Sequence, residues 1–288
     1  MTYYLKAIRI HHWPKNTLIF LPVLSGHLIN FENFLILLVL FFSLRFVASG
    51  LYLMNDLLDI ESDKKHPTKK FRAIASGSLS EKNAKAISCA LIILGLIASF
   101  AISFYAGILI FIYIVLVSAY SLYIKRKRFF EAFFLTLVYL LRIFIGVLVI
   151  DTGVSQAMIL FPLFFFFFLI LIKRHTELLL YVNTLENDPT GRGYQTGDIN
   201  LIQWFAVSSA LFSLLIFGLY ISSPKVQALY TSPTYLWAVA LLGLLWCINV
   251  LVLVQKGKMH NDPIVFAFTN KTSLGIFLIS IILIILSL

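Results

Sequence analysis

Residues 34–63 read FLILLVLFFSLRFVASGLYLMNDLLDIESD, an apolar run of about one bilayer thickness that ends directly in Asn55, Asp56, Asp59, Glu61 and Asp63. A hydrocarbon core of ~30 Å is crossed by ~20 apolar residues in a helix, so the run predicts a membrane span with an acidic end. Asp56, Asp59 and Asp63 are spaced by three and four residues. A helix continuing from Arg45 therefore lines their side chains on one face. Three unshielded carboxylates on one face repel. A hard divalent cation such as Mg²⁺ removes that repulsion and typically sits between one or two carboxylates and the phosphates of a substrate. The three aspartates are the candidate catalytic residues, and with Asn55 they form the candidate metal-binding set.

The rest of the chain agrees with a membrane setting. Hydrophobic residues make up 60% of it, 27 of its residues are Phe, and the mean hydropathy is +0.93. These values exclude a large soluble protein and predict a polytopic, all-α helix bundle forming a single transmembrane domain over 1–288. No cleavable leader is read, because Lys6, Arg9 and Lys15 precede an apolar run that begins a span. Cys89 and Cys247 stand alone in apolar runs and read as packing residues. The formal charge of +10 reads as membrane topology, with no nucleic-acid partner.

Nine apolar runs are expected to span, near 17–29, 34–55, 84–104, 107–124, 130–150, 157–173, 200–222, 235–254 and 272–288. The connections after the even runs carry nearly every Lys and Arg. Lys225 is the exception in a connection, and Arg45 and Arg142 lie within runs. The positive-inside rule then places the N-terminus in the cytoplasm and the C-terminus outside; a bacterial-type plasma membrane is the expected location. The long charged segments 56–83, 181–199 and 255–271 fall on the cytoplasmic side, so the active site is expected to face the cytoplasm. Ser80 before Glu81 reads as a helix N-cap, leaving 64–79 as a loop or short helix.

One face of the second run is polar: Arg45, Ser49, Tyr52, Asp56, Asp59 and Asp63 recur every three or four residues. Ionisable residues inside a span face a cavity or a partner, which makes this stripe a functional interior face. Candidates for holding substrate phosphates are Lys15, Tyr52, Asn55, Lys69, Arg72, Lys125, Arg126, Lys173 and Arg174. Arg suits bidentate phosphate contact and Lys acts as a point charge. Arg45, Arg142 and Glu177 are secondary candidates, with pairing of Glu177 to Lys173 or Arg174 the simpler reading. His11 and His12 beside Trp13 read as an interfacial anchor. The turn-rich stretch from Asp188 to Tyr194 could cover a site or be inert surface. The Phe161–Phe168 run reads as lipid or lipid-tail surface. No nucleophilic triad, paired cysteines, Walker loop or dinucleotide fingerprint is present.

The pattern Asn55-Asp56-x-x-Asp59-x-x-x-Asp63, followed by Lys69, Arg72 and Gly77, resembles the first aspartate motif of the UbiA superfamily of polytopic prenyltransferases. Within it the chain is similar to the decaprenyl-phosphate phosphoribosyltransferase branch. The likeness rests on Arg9-x-x-x-Trp13-x-Lys15-Asn16, on His66-Pro67, on Lys173-Arg174-x-x-Glu177-Leu178, on Gly191-Arg192-Gly193 and on Asn261-Asp262-Pro263 through Ala267. Departures are Ile10 and Ala73 where that branch has proline, Lys70 where it has arginine and His175 where it has tyrosine. The second aspartate-rich motif of prenyl-diphosphate enzymes is replaced by Lys173, Arg174 and a lone Glu177. The resemblance implies a Mg²⁺-dependent transfer of 5-phosphoribosyl from phosphoribosyl diphosphate to a polyprenyl phosphate, with diphosphate released, in cell-wall biosynthesis. Alternatives are isoprenyl transfer to an aromatic acceptor and a lipid or anion transporter. Assembly into a homo-oligomer is left open.

Overall fold

Eight helices carry the apolar runs in the computed structural model, which describes residues 7–65, 69–151, 153, 155–184, 193–259 and 263–288. They are α1 (Phe31–Leu58), α2 (Glu81–Ile102), α3 (Phe104–Leu122), α4 (Phe130–Ile150), α5 (Gln156–Thr184), α6 (Ile199–Ile221), α7 (Thr234–Gln255) and α8 (Lys271–Ser287). His66, Pro67, the 185–192 stretch, Asn261 and Asp262 lie outside the described residues, as do the side chains of His11 and His12. Side-chain caps start several helices where the sequence supplies an oxygen. The side chains of Asn30, Ser80 and Asn270 accept the backbone N–H groups of Asn33, Asn83 and Ser273 respectively.

Among the described residues, seven helices are long and apolar enough to cross a membrane, and the pair Pro263–Thr269 and Lys271–Ser287, bent by 78°, adds an eighth if taken as one span. The nine spans expected from hydropathy are not all found as continuous helices among the described residues. The first run fails because Pro14 and Pro22 each remove a backbone donor, and His27 turns the chain with φ 53°. Ile10–Phe20 is instead a 3₁₀ stretch followed by the short helix Leu21–Ser25. This segment nevertheless runs the length of α1. Arg9 reaches Asp56 near one end, and the ring of Phe20 lies 6.1 Å from that of Phe34 at the other.

The chain divides into two compact units, Met1–Ile124 with Leu141–Gly153, and Lys125–Leu140 with Val154–Leu288. In the first, α1 and α2 approach through small residues. A Cβ on Gly95 would stand 2.6 Å from the Ser43 carbonyl oxygen, and one on Gly50 would stand 2.8 Å from that of Ser88. Ser88 Oγ donates to the Gly50 carbonyl at 2.7 Å. Small residues let backbones close to this distance where lipid supplies no hydrophobic drive between helices. In the second unit the Phe161–Phe168 run packs in part between helices, while Phe161, Phe164, Phe165 and Phe167 stay half-buried. Phe166 and Phe168 are buried, Phe166 stacks on Tyr139 at 4.9 Å, Phe164 meets Phe212 and Phe165 meets Trp246.

Candidate active site

A small hydrophobic core sets the geometry of the carboxylate cluster. Ala7, Leu53, Ile74, Leu79 and Ala84 bury one another, with Leu57, Ile60 and Ala73 packed against them. These residues gather the N-terminal segment, the end of α1, the loop after it and the start of α2. The loop is closed by the Leu79 N–H on the Ala73 carbonyl at 2.8 Å and the Gly77 N–H on the Ile74 carbonyl at 3.0 Å. Gly77 has φ 75°, a value that side chains resist. Arg72, just before this turn, is held against the acidic end of α1.

There Arg72 Nη1 donates to Asp56 Oδ1 at 3.1 Å and to Asp63 Oδ2 at 2.6 Å. Arg9 Nη2 donates to the same Asp56 oxygen at 2.5 Å. Asp56 and Asp63 are only 5% and 2% exposed. Buried carboxylates need such partners, since an isolated buried charge is strongly disfavoured. Arg9 takes a left-handed backbone, φ 52° and ψ 54°, and stacks its guanidinium on Tyr52 at 4.9 Å. A non-glycine residue held in that region is characteristic of sites where surrounding contacts over-determine the backbone.

The helix expected to carry all three aspartates is interrupted at Asp59. α1 stops at Leu58, and Asp59 caps it with φ −100° and ψ 8°. The Asp63 N–H still reaches the Asp59 carbonyl at 2.8 Å through the restart at Ile60–Lys65. Asp59 accepts from Asn55 Nδ2 at 3.1 Å. Among the described residues no group of three or more His, Cys, Asp or Glu side chains gathers into a metal-binding set. Two carboxylates do converge, because Asp56 and Asp63 both lie within hydrogen-bond reach of one nitrogen atom. That pair fits the protein share of a Mg²⁺ site completed by substrate phosphates.

The polar stripe of α1 faces the N-terminal segment. Ser49 Oγ donates to the Ile8 carbonyl at 2.9 Å, and Arg45 lies 3.4 Å above the Phe41 ring and 4.2 Å from that of Trp13. Lys15 and Asn16 are buried. Buried Arg142 donates from Nε to Asn16 Oδ1 at 2.9 Å and from Nη2 to Tyr113 Oη at 2.8 Å. Lys69 is half-buried beside Arg72 in sequence. All of these residues belong to the first unit.

In the second unit Lys125 and Lys173 are half-buried, Arg126 is exposed and Arg174 is 2% exposed. Arg174 forks onto both carboxylate oxygens of fully buried Glu131 and also pairs with Glu177. Its guanidinium serves a buried ion triad. His175 is buried and hydrogen-bonded to Gln203. Arg128 forks onto Asp198, and that bond holds the Arg128 guanidinium above its ordinary pKa. Sequence reading missed Arg9, Glu131, Arg128 and Asp198 as members of these clusters. Arg9 left a trace in the N-terminal motif, whereas the partners of Glu131 and Asp198 are 43 and 70 positions away in the chain and left none.

Residues 17–284 match the UbiA prenyltransferase family. The chain belongs to that family. This UbiA protein is 32% identical over 272 residues to the uncharacterized protein y4nM of Sinorhizobium fredii, covering 94% of this chain and 53% of that one. It is 30% identical over 185 residues to the decaprenyl-phosphate phosphoribosyltransferase of Mycolicibacterium smegmatis, covering 62% and 58%. The chain thus spans little more than half the length of either relative. Among solved structures, a UbiA homolog from Archaeoglobus fulgidus bound to GPP and Mg²⁺ superposes with a TM-score of 0.68 at 12% identity, covering 98% of this chain and 96% of that one. The fold is therefore that of a UbiA integral membrane protein.

Proposed function

We propose that this UbiA protein transfers a 5-phosphoribosyl group from 5-phosphoribosyl 1-diphosphate to a polyprenyl phosphate of the decaprenyl type, releasing diphosphate. The observation that carries the reading is that, among the described residues, Asp56 and Asp63 converge on Arg72 while Glu177, in the place of a second aspartate motif, is engaged by Arg174. One acidic centre with added guanidinium groups suits a donor that brings several phosphates of its own. The relative from Mycolicibacterium smegmatis, named for this activity, supports the same substrate class.

Asp56 and Asp63, with Asn55 and Asp59 beside them, would hold Mg²⁺. Mg²⁺ bound there supplies charge neutralisation for the departing diphosphate. Arg72 and Arg9, already at the carboxylates, are placed to donate to diphosphate oxygens, with Lys69 as a further donor. Lys125, Arg126 and Lys173 of the second unit are assigned to substrate phosphates. Arg174 is held in the ion triad rather than assigned to phosphate. As the bond from ribose C1 to the diphosphate breaks, the lipid phosphate oxygen attacks C1 from the opposite face. The acceptor is already anionic, so no general base is required. Buried Lys15 and Arg142 and the aromatic-stacked Arg45 are assigned to anionic groups deeper among the helices of the first unit. The acidic centre faces the cytoplasm, where a phosphorylated sugar donor is available.

The test is Mg²⁺-dependent incorporation of radiolabelled phosphoribosyl diphosphate into organic-extractable lipid, with purified protein and a polyprenyl phosphate. Label in lipid, lost on chelation, supports the reading. Transfer of labelled isoprene from its diphosphate instead would replace it with prenyl transfer, the reading favoured by the GPP-bound structural neighbour. Substrate movement without diphosphate release would point to a transporter.

A further inference from the structure

Lys125 and Arg126 lie on a turn that has little reason to hold its own shape. Ile124–Arg126 is a single 3₁₀ turn, four consecutive cations from Lys125 to Arg128 repel one another, and Phe129 adopts φ 55°. What holds the turn is a separate stretch, residues 193–198, leading into α6. Gly193 lies so close beneath the turn that an added Cβ would stand 2.5 Å from the Arg126 carbonyl oxygen and 2.7 Å from the Arg128 nitrogen. The Phe129 N–H donates to Tyr194 Oη at 3.2 Å, and the two rings meet edge to face at 5.5 Å. Arg128 Nε donates to Asp198 Oδ2 at 2.8 Å, and its second branch also bonds Asp198. Asp198 is itself fixed by the Gln195 N–H at 2.9 Å. Tyr194 and Asp198 are both buried, so a buried base holds the cationic turn at three points, and all of it lies within the second unit.

We infer that Gly193, Tyr194, Asp198 and Arg128 are positioning residues that hold Lys125 and Arg126 in the geometry for binding a diphosphate. This rests on the assignment of Lys125 and Arg126 to substrate phosphate made above. Arg128 is excluded from direct phosphate binding in this scheme, because its fork is committed to Asp198.

Electrostatics and positioning predict opposite signs, which makes the inference decidable. Asp198→Asn removes a negative charge beside four cations. Coulomb attraction alone would then tighten the binding of an anion, and Arg128 would be released to add to it. Positioning predicts weaker binding, because the turn loses its anchor; misplacement by ~1 Å costs up to about a hundredfold at such sites. The experiment measures the inhibition constant of inorganic diphosphate on the full-length purified protein. The expected result is a rise of about tenfold for Asp198→Asn and for Gly193→Ala. Tyr194→Phe, which removes only the hydroxyl acceptor, is expected to give about threefold and serves if either of the others fails to fold. Combining Asp198→Asn with Lys125→Gln and Arg126→Gln should add nothing beyond those two alone, which general damage to the fold would not reproduce. Tighter binding in Asp198→Asn, or full additivity, overturns the inference. No effect of Lys125→Gln and Arg126→Gln overturns the phosphate assignment itself, a separable outcome.

Discussion

At the scale of single residues, the partners of buried Asp56, Asp63 and Glu131 set what each substitution does. Asp56 meets two guanidinium groups, Asp63 meets one, and Asp59 accepts from the amide of Asn55. Asp56→Asn and Asp63→Asn should each lower the rate of lipid labelling by at least ~100-fold, because each removes an anionic ligand for the Mg²⁺ that would neutralise the departing diphosphate. Asp59→Asn should cost nearer ~10-fold, and initial rates at saturating Mg²⁺ separate the two classes. Full turnover in Asp56→Asn would falsify the metal-assisted mechanism. The ion triad behaves differently. Arg174→Met leaves fully buried Glu131 without its forked partner, a change expected to destabilise by about 3–5 kcal/mol. Adding Glu131→Gln should restore much of that loss, as read by unfolding in a mixed detergent titration, because a neutral pair carries no uncompensated charge.

Between elements, close approach of α1 and α2 depends on missing side chains. Gly95→Leu pushes a branched chain into the Ser43 carbonyl and Val47 and should destabilise by about 1–3 kcal/mol. Gly275→Leu in α8, where a Cβ meets nothing within 4 Å, should not destabilise and should add up to about 1 kcal/mol of helix propensity in the same unfolding assay. The helices themselves are legible in the sequence. Apolar runs of bilayer length leave the backbone no alternative but to pair within itself, and α2 begins at the capping Ser80 that its sequence signals. Hydropathy misreads the first run because it weighs Pro22 as one residue among many, while the missing donor breaks the hydrogen-bond ladder. The face of three aspartates is legible only in part. Spacing alone does not reveal that α1 caps at Asp59 and turns that side chain to Asn55. The ion triad is half legible: the Arg174–Glu177 pair is local in sequence, but Glu131 comes from another helix, and such pairings depend on the tertiary fold.

For the whole molecule, the acidic centre has meaning only on the side of the membrane that holds the donor, and the N-terminal segment ties that question to the chain's direction. Ile8 and Arg9 bond Ser49 and Asp56, while Leu28 accepts from Asn33 at the far end of α1. The segment between them therefore passes from one end of α1 to the other, and residues 8–9 share a side with Asp56 even though residues 10–25 are not a continuous apolar helix. Lys64, Lys65, Lys69, Lys70 and Arg72 follow Asp56 on that side, and an excess of cations marks the cytoplasmic face. The orientation can be checked by single cysteines in a chain with Cys89 and Cys247 replaced. Lys64→Cys, Lys127→Cys and Lys258→Cys, all at exposed positions, should react with an impermeant maleimide only after the cells are opened. Gly153→Cys and Lys225→Cys, also exposed, should react in intact cells. The reverse pattern would place Asp56, Asp63 and Arg72 outside, away from any intracellular diphosphate donor, and the transferase reading would fall with the orientation. The pattern expected here leaves the donor and the carboxylates on the same side, with the acceptor's isoprenoid tail supplied from the bilayer.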